Sequence, residues 1–288
     1  MNKKMKSTFV VLTTLAFLMA VLPMVYADVC VGESCNADIN LTIGNTAPTI
    51  NYVEPVSAIT LNGGTTKVVT VVFNATDENG YADLNFATAV VNLSKGGEAT
   101  RTSSSCGAIQ NATKESTLSC VVTMQFYDSA GADWVVTAYV KDKTGVGVAN
   151  DTTTATVNSL DYVTSDTTQV GWASATLGAN DVEADNTITL TNGGNQNYAV
   201  MNVKGQNAVG QVFSDVINAN KFSVDNVTGA TSGQIYMISN TNVDVSSILN
   251  LATHGASVSK AIYFYVDVPS GIRADNYLST SAWAIALS

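Results

Sequence analysis

Between Pro48 and Val157 the chain runs in short alternating segments: Val68–Phe73 (VVTVVF), Ala87–Leu93 (ATAVVNL), Leu118–Phe126 (LSCVVTMQF), Trp134–Val140 (WVVTAYV) and Thr152–Val157 (TTTATV). Apolar residues recurring at every second position, many of them β-branched or aromatic, put one face of an extended strand into a core and the other into water. Turn residues separate the runs at Asn62-Gly63-Gly64, Asp77 to Gly80, Gly96-Gly97, Asp128 to Gly131 and Asp142 to Gly145. Strands at this spacing, with no helical periodicity of useful length, predict an antiparallel β-sandwich over residues 47–158.

Working outward, residues 159–288 read as a second β-sandwich, with strands expected around Gln169–Leu177, Asn186–Thr191, Ala199–Val203, Gln234–Ile238, Ser259–Asp267 and Thr280–Leu287, and one short helix at Asp244–Leu251. Upstream, Ile39, Leu41 and Ile43 alternate with Asn40 and Thr42 inside the segment 28–46. This isolated strand has two readings: the first strand of the N-terminal sandwich, or a free strand that pairs with the open edge of a neighbouring subunit. The expected fold class is all-β, two antiparallel Ig-like β-sandwich domains in tandem after an N-terminal signal helix.

That signal is residues 1–27. Lys3, Lys4 and Lys6 precede an apolar stretch from Phe9 to Leu22, then Pro23 and the small-residue site Val25-Tyr26-Ala27, with Ala27/Asp28 as the cut. The apolar stretch is close to bilayer-spanning length, so a retained anchor is the alternative, and membrane contact is expected only in that case. Cys30 follows Asp28-Val29 rather than small residues, which argues against lipid attachment. No second spanning stretch follows, so no C-terminal anchor is expected. The chain is therefore expected to be secreted or held at the cell surface. Losing Lys3, Lys4 and Lys6 with the signal takes the formal net charge from −10 to −13. Such acidity repels phosphate backbones and argues against nucleic-acid partners. Charged residues make up only 12% of the chain, a balance that fits an extracellular β protein better than a disordered tail.

The four cysteines fall as local pairs, Cys30 with Cys35 and Cys106 with Cys120. In an exported chain these read as two disulfides, although spacing alone permits other pairings, and a zinc site is disfavoured because no Cys-x-x-Cys knuckle is present. Asn-x-Ser/Thr acceptor sites for glycosylation stand at Asn40, Asn74, Asn92, Asn111, Asn150 and Asn226.

Catalytic chemistry finds little purchase. The single histidine, His254, is the one base available to a Ser-His-Asp triad, and no Gly-x-Ser-x-Gly elbow accompanies it. Ser257-Val258-Ser259-Lys260 and Lys143-Thr144-Gly145 imitate motifs of penicillin-interacting enzymes, but in the reverse order. Carboxylates carry the binding expectation: Asp77, Glu78, Asn79 and Asp83 crowd one turn, and Asp181, Glu183 and Asp185 another, with calcium as the candidate ion because clustered hard oxygens suit it. Solvated turn acids are the plain alternative. No other cofactor is expected. Trp134 and Trp283 sit in apolar alternation and read as core, while Trp172, between Gly171 and Ala173, is an open candidate for a glycan platform.

Three stretches carry a resemblance: Ala47-Pro48-Thr49-Ile50, the run Val71-Val72-Phe73-Asn74-Ala75-Thr76-Asp77-Glu78-Asn79-Gly80, and Trp134-Val135-Val136-Thr137-Ala138-Tyr139-Val140-Lys141-Asp142. Together they resemble Ig-like domains of archaeal and bacterial surface proteins. Asn192-Gly193-Gly194-Asn195 and Val266-Asp267-Val268-Pro269-Ser270-Gly271-Ile272, followed by Tyr277, resemble turns of surface-layer-like and envelope sandwich modules, with Asp275-Asn276 departing from the glycine usual there. The resemblance implies a core Trp134, a corner-tyrosine role for Tyr139, and a structural or adhesive function without enzymatic activity. It implies other surface-protein subunits, envelope glycans or copies of the same chain as partners. The rival reading is a secreted carbohydrate- or calcium-binding module, with a hydrolase a distant third.

Overall fold

In the computed structural model, which describes residues 39–288 apart from 252, 253 and 257, the alternating runs become strands and every named strand pairing is antiparallel. The signal segment and the Cys30–Cys35 pair lie outside the described residues. The chain divides into two units between Gly44 and Asn45. Within the first, residues 39–44 form no strand, contrary to the expectation for Ile39–Ile43, and these apolar side chains stand 92% (Ile39), 77% (Leu41) and 80% (Ile43) exposed. Alternation supplies the face of a strand, but a strand also needs a ladder partner.

Strands β1 (Thr49–Val53), β2 (Lys67–Thr76), β3 (Leu84–Ser94), β4 (Arg101–Asn111), β5 (Glu115–Met124), β6 (Gly131–Asp142) and β7 (Gly147–Val157) follow one another in sequence. They form a seven-stranded array in the order β1-β2-β5-β4-β3-β6-β7. Strand β4 links its halves, meeting β3 at Asn92↔Thr102 and Leu93↔Arg101 and running along β5 from Ser103 to Asn111. Phe73, Leu118 and Val122 from one half pack with Leu93, Trp134, Val136 and Val140 from the other in one buried core. The halves thus face each other as layers of a β-sandwich, and β5 and β6 bury alternate residues as their period of two demands. Tyr139, expected at a corner, lies partly exposed in β6, with Lys141 over its ring and Gly147 against it. Beneath a loop, Arg101 donates through Nε to Asp128 at 3.0 Å, and the fully buried Asp128 also accepts from the Gln125 N–H at 2.8 Å.

The second half is built differently. It comprises β8 (Val163–Ser165), β9 (Val182–Glu183), β10 (Ile188–Asn192), β11 (Met201–Lys204), β12 (Ala208–Gly210), β13 (Val216–Ile217), β14 (Phe222–Asp225), β15 (Ile235–Tyr236), β16 (Asn242–Asp244), β17 (Val258–Val266), β18 (Tyr277–Ser279) and β19 (Ala284–Leu287). Most are two to five residues long, and they pair, several of them across long separations, into three sheets: β15-β14-β17-β10-β8 with β9 on β17, β16-β11-β19, and β13-β12-β18. A separate core gathers Met201, Val224, Met237, Leu249 and Ile262, with Phe222 between the rings of Trp172 and Trp283 at 5.7 and 5.5 Å. Two expectations fail here. Gln169–Leu177 is irregular because the segment is held by side chains, Asn186 accepting from Gly171 N–H and Trp172 Nε1 donating to the Val182 carbonyl. Asp244–Leu251 is no helix but the end of β16 followed by one turn, closed by Leu249 N–H to Val245 carbonyl at 2.8 Å.

The two β regions share a junction made by Asn192-Gly193-Gly194-Asn195. The Gly64 N–H donates to the Gly193 carbonyl at 2.8 Å, and buried Asn195 donates from Nδ2 to the carbonyls of Asp128 at 2.9 Å and Asn158 at 3.0 Å. Its Oδ1 accepts the Leu160 N–H at 2.7 Å. A Cβ on Gly194 would stand 2.2 Å from the Leu160 carbonyl oxygen, so the close approach requires glycine there.

Candidate metal centre

Three strand ends bring three aspartates to one rim of the sandwich. Asp77 follows β2 directly, Asp83 closes a 3-10 turn at Tyr81–Asp83 just before β3, and Asp142 is the last residue of β6. Each offers a carboxylate oxygen, and these oxygens lie within 4.8 Å of one another. Asp77 and Asp142 are fully buried and Asp83 is half-buried. Among the described residues none of the three is in an ion pair.

The environments of the two buried acids differ. Asp77 Oδ1 accepts the Asn79 N–H at 2.8 Å, whereas its Oδ2 is buried with no hydrogen-bond partner among the described residues. Burial pushes the Asp77 carboxyl above its ordinary range; the Asn79 N–H opposes this, and the charges of Asp83, Asp142 and Glu78 reinforce it. Burial also acts to raise Asp142, but it is outweighed by donors from Asn45, Thr144 and the N–H groups of Val146 and Gly145, which hold the group below the usual carboxylate range.

The sequence grouping of Asp77, Glu78, Asn79 and Asp83 is redistributed. Asp77 and Asp83 converge, Glu78 turns outward to Lys114, and the Asn79 Oδ1 accepts the Thr46 N–H at 2.9 Å. Asp142 was not among the expected ligands. Its signal was present all the same, as the acid that opens the turn Asp142 to Gly145 two residues after the run Trp134–Val140. Only the pairing of β6 with β3 carries it to Asp83. In the other acidic stretch, Asp181 accepts from Gln234, Glu183 from Thr228 and Asp185 from the Ala173 N–H, and among the described residues these three carboxylates are not grouped within reach of one ion.

Cys106 and Cys120 stand opposite each other on β4 and β5, disulfide-bonded with Cα atoms 4.1 Å apart. Of the acceptor asparagines, Asn40, Asn111 and Asn226 are exposed and Asn92 and Asn150 half-buried. Asn74 is buried, bonded to Asn51 and Thr117, where a glycan would break the packing. All three tryptophans pack against the cores.

His254 has the most suggestive surroundings. Its Nε2 lies 3.1 Å from Ser129 Oγ and its Nδ1 2.7 Å from Asn197 Oδ1. Ser129, however, directs its one hydroxyl hydrogen to Glu98, so its oxygen faces the imidazole as an acceptor, the reverse of base activation. The Ser129 carbonyl is taken by Trp134 Nε1 at 3.0 Å. The set ties the Asp128–Gly131 loop to the second β region.

No protein-family model matches this chain, and no curated protein matches it. What the acidic rim offers chemically is an oxygen-only set, three carboxylates with hydroxyl and amide oxygens nearby and no sulfur or imidazole among the grouped ligands, suited to a hard cation.

Proposed function

We propose that the chain is an exported, non-enzymatic structural or adhesive component of the cell surface, contributing tandem Ig-like modules to a surface layer, fibre or envelope assembly. The observation that carries this reading is the segment Ile39–Ile43, whose alternate apolar side chains are exposed on a backbone that forms no strand. Exposed, unpaired alternation of this kind is what strand addition to a neighbouring sheet uses, main-chain bonds giving affinity and alternate side chains filling pockets. The junction at Asn195 supports the same reading, because it joins the two β regions into the single unit Asn45–Ser288, as a force-bearing module needs. Export rests on the three-part layout of residues 1–27, and the likeness of the Trp134 and Asn192–Asn195 stretches to surface-protein modules adds to it. Partners in this reading are other subunits, copies of the chain, or envelope glycans.

Size-exclusion chromatography with light scattering tests it, using the chain from Asp28 beside a form lacking Asp28–Ile43. Assembly of the longer form alone supports strand-mediated polymerisation, and two monomers would replace it with a spacer or binding role. The second reading, a calcium-binding β-sandwich module, draws on the convergence of Asp77, Asp83 and Asp142.

A further inference from the structure

We propose that Asp77, Asp83 and Asp142 form a calcium site at the rim of the N-terminal sandwich, and that the bound ion fastens the segment entering the sandwich to that rim. The inference rests on this cluster alone and holds wherever the protein resides.

Two independent features point to a cation. The first is convergence: acids from the end of β2, the Tyr81–Asp83 turn and the end of β6 place carboxylate oxygens within 4.8 Å of one another. Oxygens on opposite sides of a calcium ion stand about 4.6–5.2 Å apart, twice the metal–oxygen distance, so the three fit one coordination shell. The second is the orphaned Oδ2 of Asp77, an acceptor on a fully buried side chain with no donor among the described residues. A buried carboxylate oxygen without a partner is costly, and it is satisfied by either a proton or a cation. The upward push on Asp77 agrees, since its neighbours supply negative charge where positive charge is wanted. The half-buried Asp83 leaves the ion a side open to solvent. Calcium is favoured over zinc by the absence of His and Cys from the grouped ligands, and over magnesium by three carboxylates from separate loops, an adaptable all-protein set.

The same groups also hold the chain that enters the sandwich. Asn45 donates from Nδ2 to Asp142 Oδ2 at 2.8 Å and to Thr144 Oγ1 at 3.0 Å, and the Thr46 N–H donates to Asn79 Oδ1 at 2.9 Å. Residues 45–46 are therefore bound to the two loops that supply Asp77 and Asp142. With the ion present, repulsion among the three carboxylates becomes attraction to a common centre, and the loops that grip Asn45 and Thr46 are held together.

Calorimetric titration of calcium chloride into the chelator-treated full chain, with melting curves, tests this. The expected result is one calcium per chain with Kd on the order of 10⁻⁴ to 10⁻³ M, as in extracellular modules. At about tenfold excess Tm should rise by about 3–5 °C. Asp83→Asn should weaken binding at least about tenfold while keeping or raising the calcium-free Tm, since it removes a repelling charge. Glu78→Gln should bind like wild type, because Glu78 faces Lys114. Hydrogen exchange at residues 45–46 should slow with calcium. The proposal is overturned if wild type shows neither heat nor Tm change up to about 10 mM calcium, if Asp83→Asn responds like wild type, if Glu78→Gln loses the response, or if magnesium at equal concentration matches calcium.

Discussion

The two β regions reach a buried core by opposite routes. In residues 49–157 the strands from β2 onward run ten to twelve residues, pair along most of their length, and in β5 and β6 bury every second side chain. In residues 163–287 most strands have two to five residues, sheets are closed by pairings such as β11 with β19, and side-chain bonds hold the stretches between. A long strand carries many cross-strand pairs and specifies its own register. A strand of two residues has no register of its own and exists because its neighbours leave it one place to pair.

The largest test of this contrast is Trp134→Ala. Removing a fully buried indole should cost about 3–5 kcal/mol, read as a fall in Tm. Hydrogen-exchange protection should drop first in residues 49–157, and equal loss in residues 163–287 would show that the regions fold as one. Next, replacing both Cys106 and Cys120 with alanine opens a link across a sequence separation of 14 and should cost about 3 kcal/mol, measured by denaturant unfolding of the N-terminal region. Gly194→Ala sharpens the comparison at the junction. Its Cβ meets backbone at 2.2 Å, so about 1–3 kcal/mol of strain is expected, with exchange rising at Asn158–Tyr162 on one side and Asn192–Asn195 on the other.

The smallest expected effect is Asp215→Asn in the second region. Hydrogen bonds from the Arg273 side chain and N–H hold the Asp215 carboxyl down to about 2. The folded pKa lies below the unfolded value of about 3.9, so the stabilisation is complete above that value and fades as pH falls toward 2. The Tm gap between wild type and variant should be present at neutral pH and closed near pH 2. The Arg273 side chain is 57% exposed, so the gap should also shrink with salt.

Legibility followed the same divide. The expected segments at Val68, Ala87, Trp134 and Thr152 fall within observed strands, and that at Leu118 overruns β5 by Gln125 and Phe126, because burying one face of a long strand forces alternation into the sequence. Strand β4 escaped notice: Arg101-Thr102-Ser103-Ser104-Ser105 is polar and mostly exposed, and it is a strand because β3 and β5 offer it ladders. Phe222–Asp225 was missed for the opposite reason, since all four residues are buried and no alternation shows. At the acidic rim, Asp77 and Asp83 could be read together because they are neighbours along the chain. Asp142 could not, because its proximity arises from strand pairing.

The all-β class, the core role of Trp134 and the expected pairing of Cys106 with Cys120 were written in the residues themselves, and the structure meets all three. Each of these is written in residue type and period along one local stretch. The sheet order, the fastening of the two β regions at Asn195, the separation of Glu78 from Asp77, and the meeting of Asp77, Asp83 and Asp142 came only with the folded chain. Those depend on which distant backbone groups satisfy one another, and that is settled only when the whole chain has closed its hydrogen bonds and buried its apolar faces together.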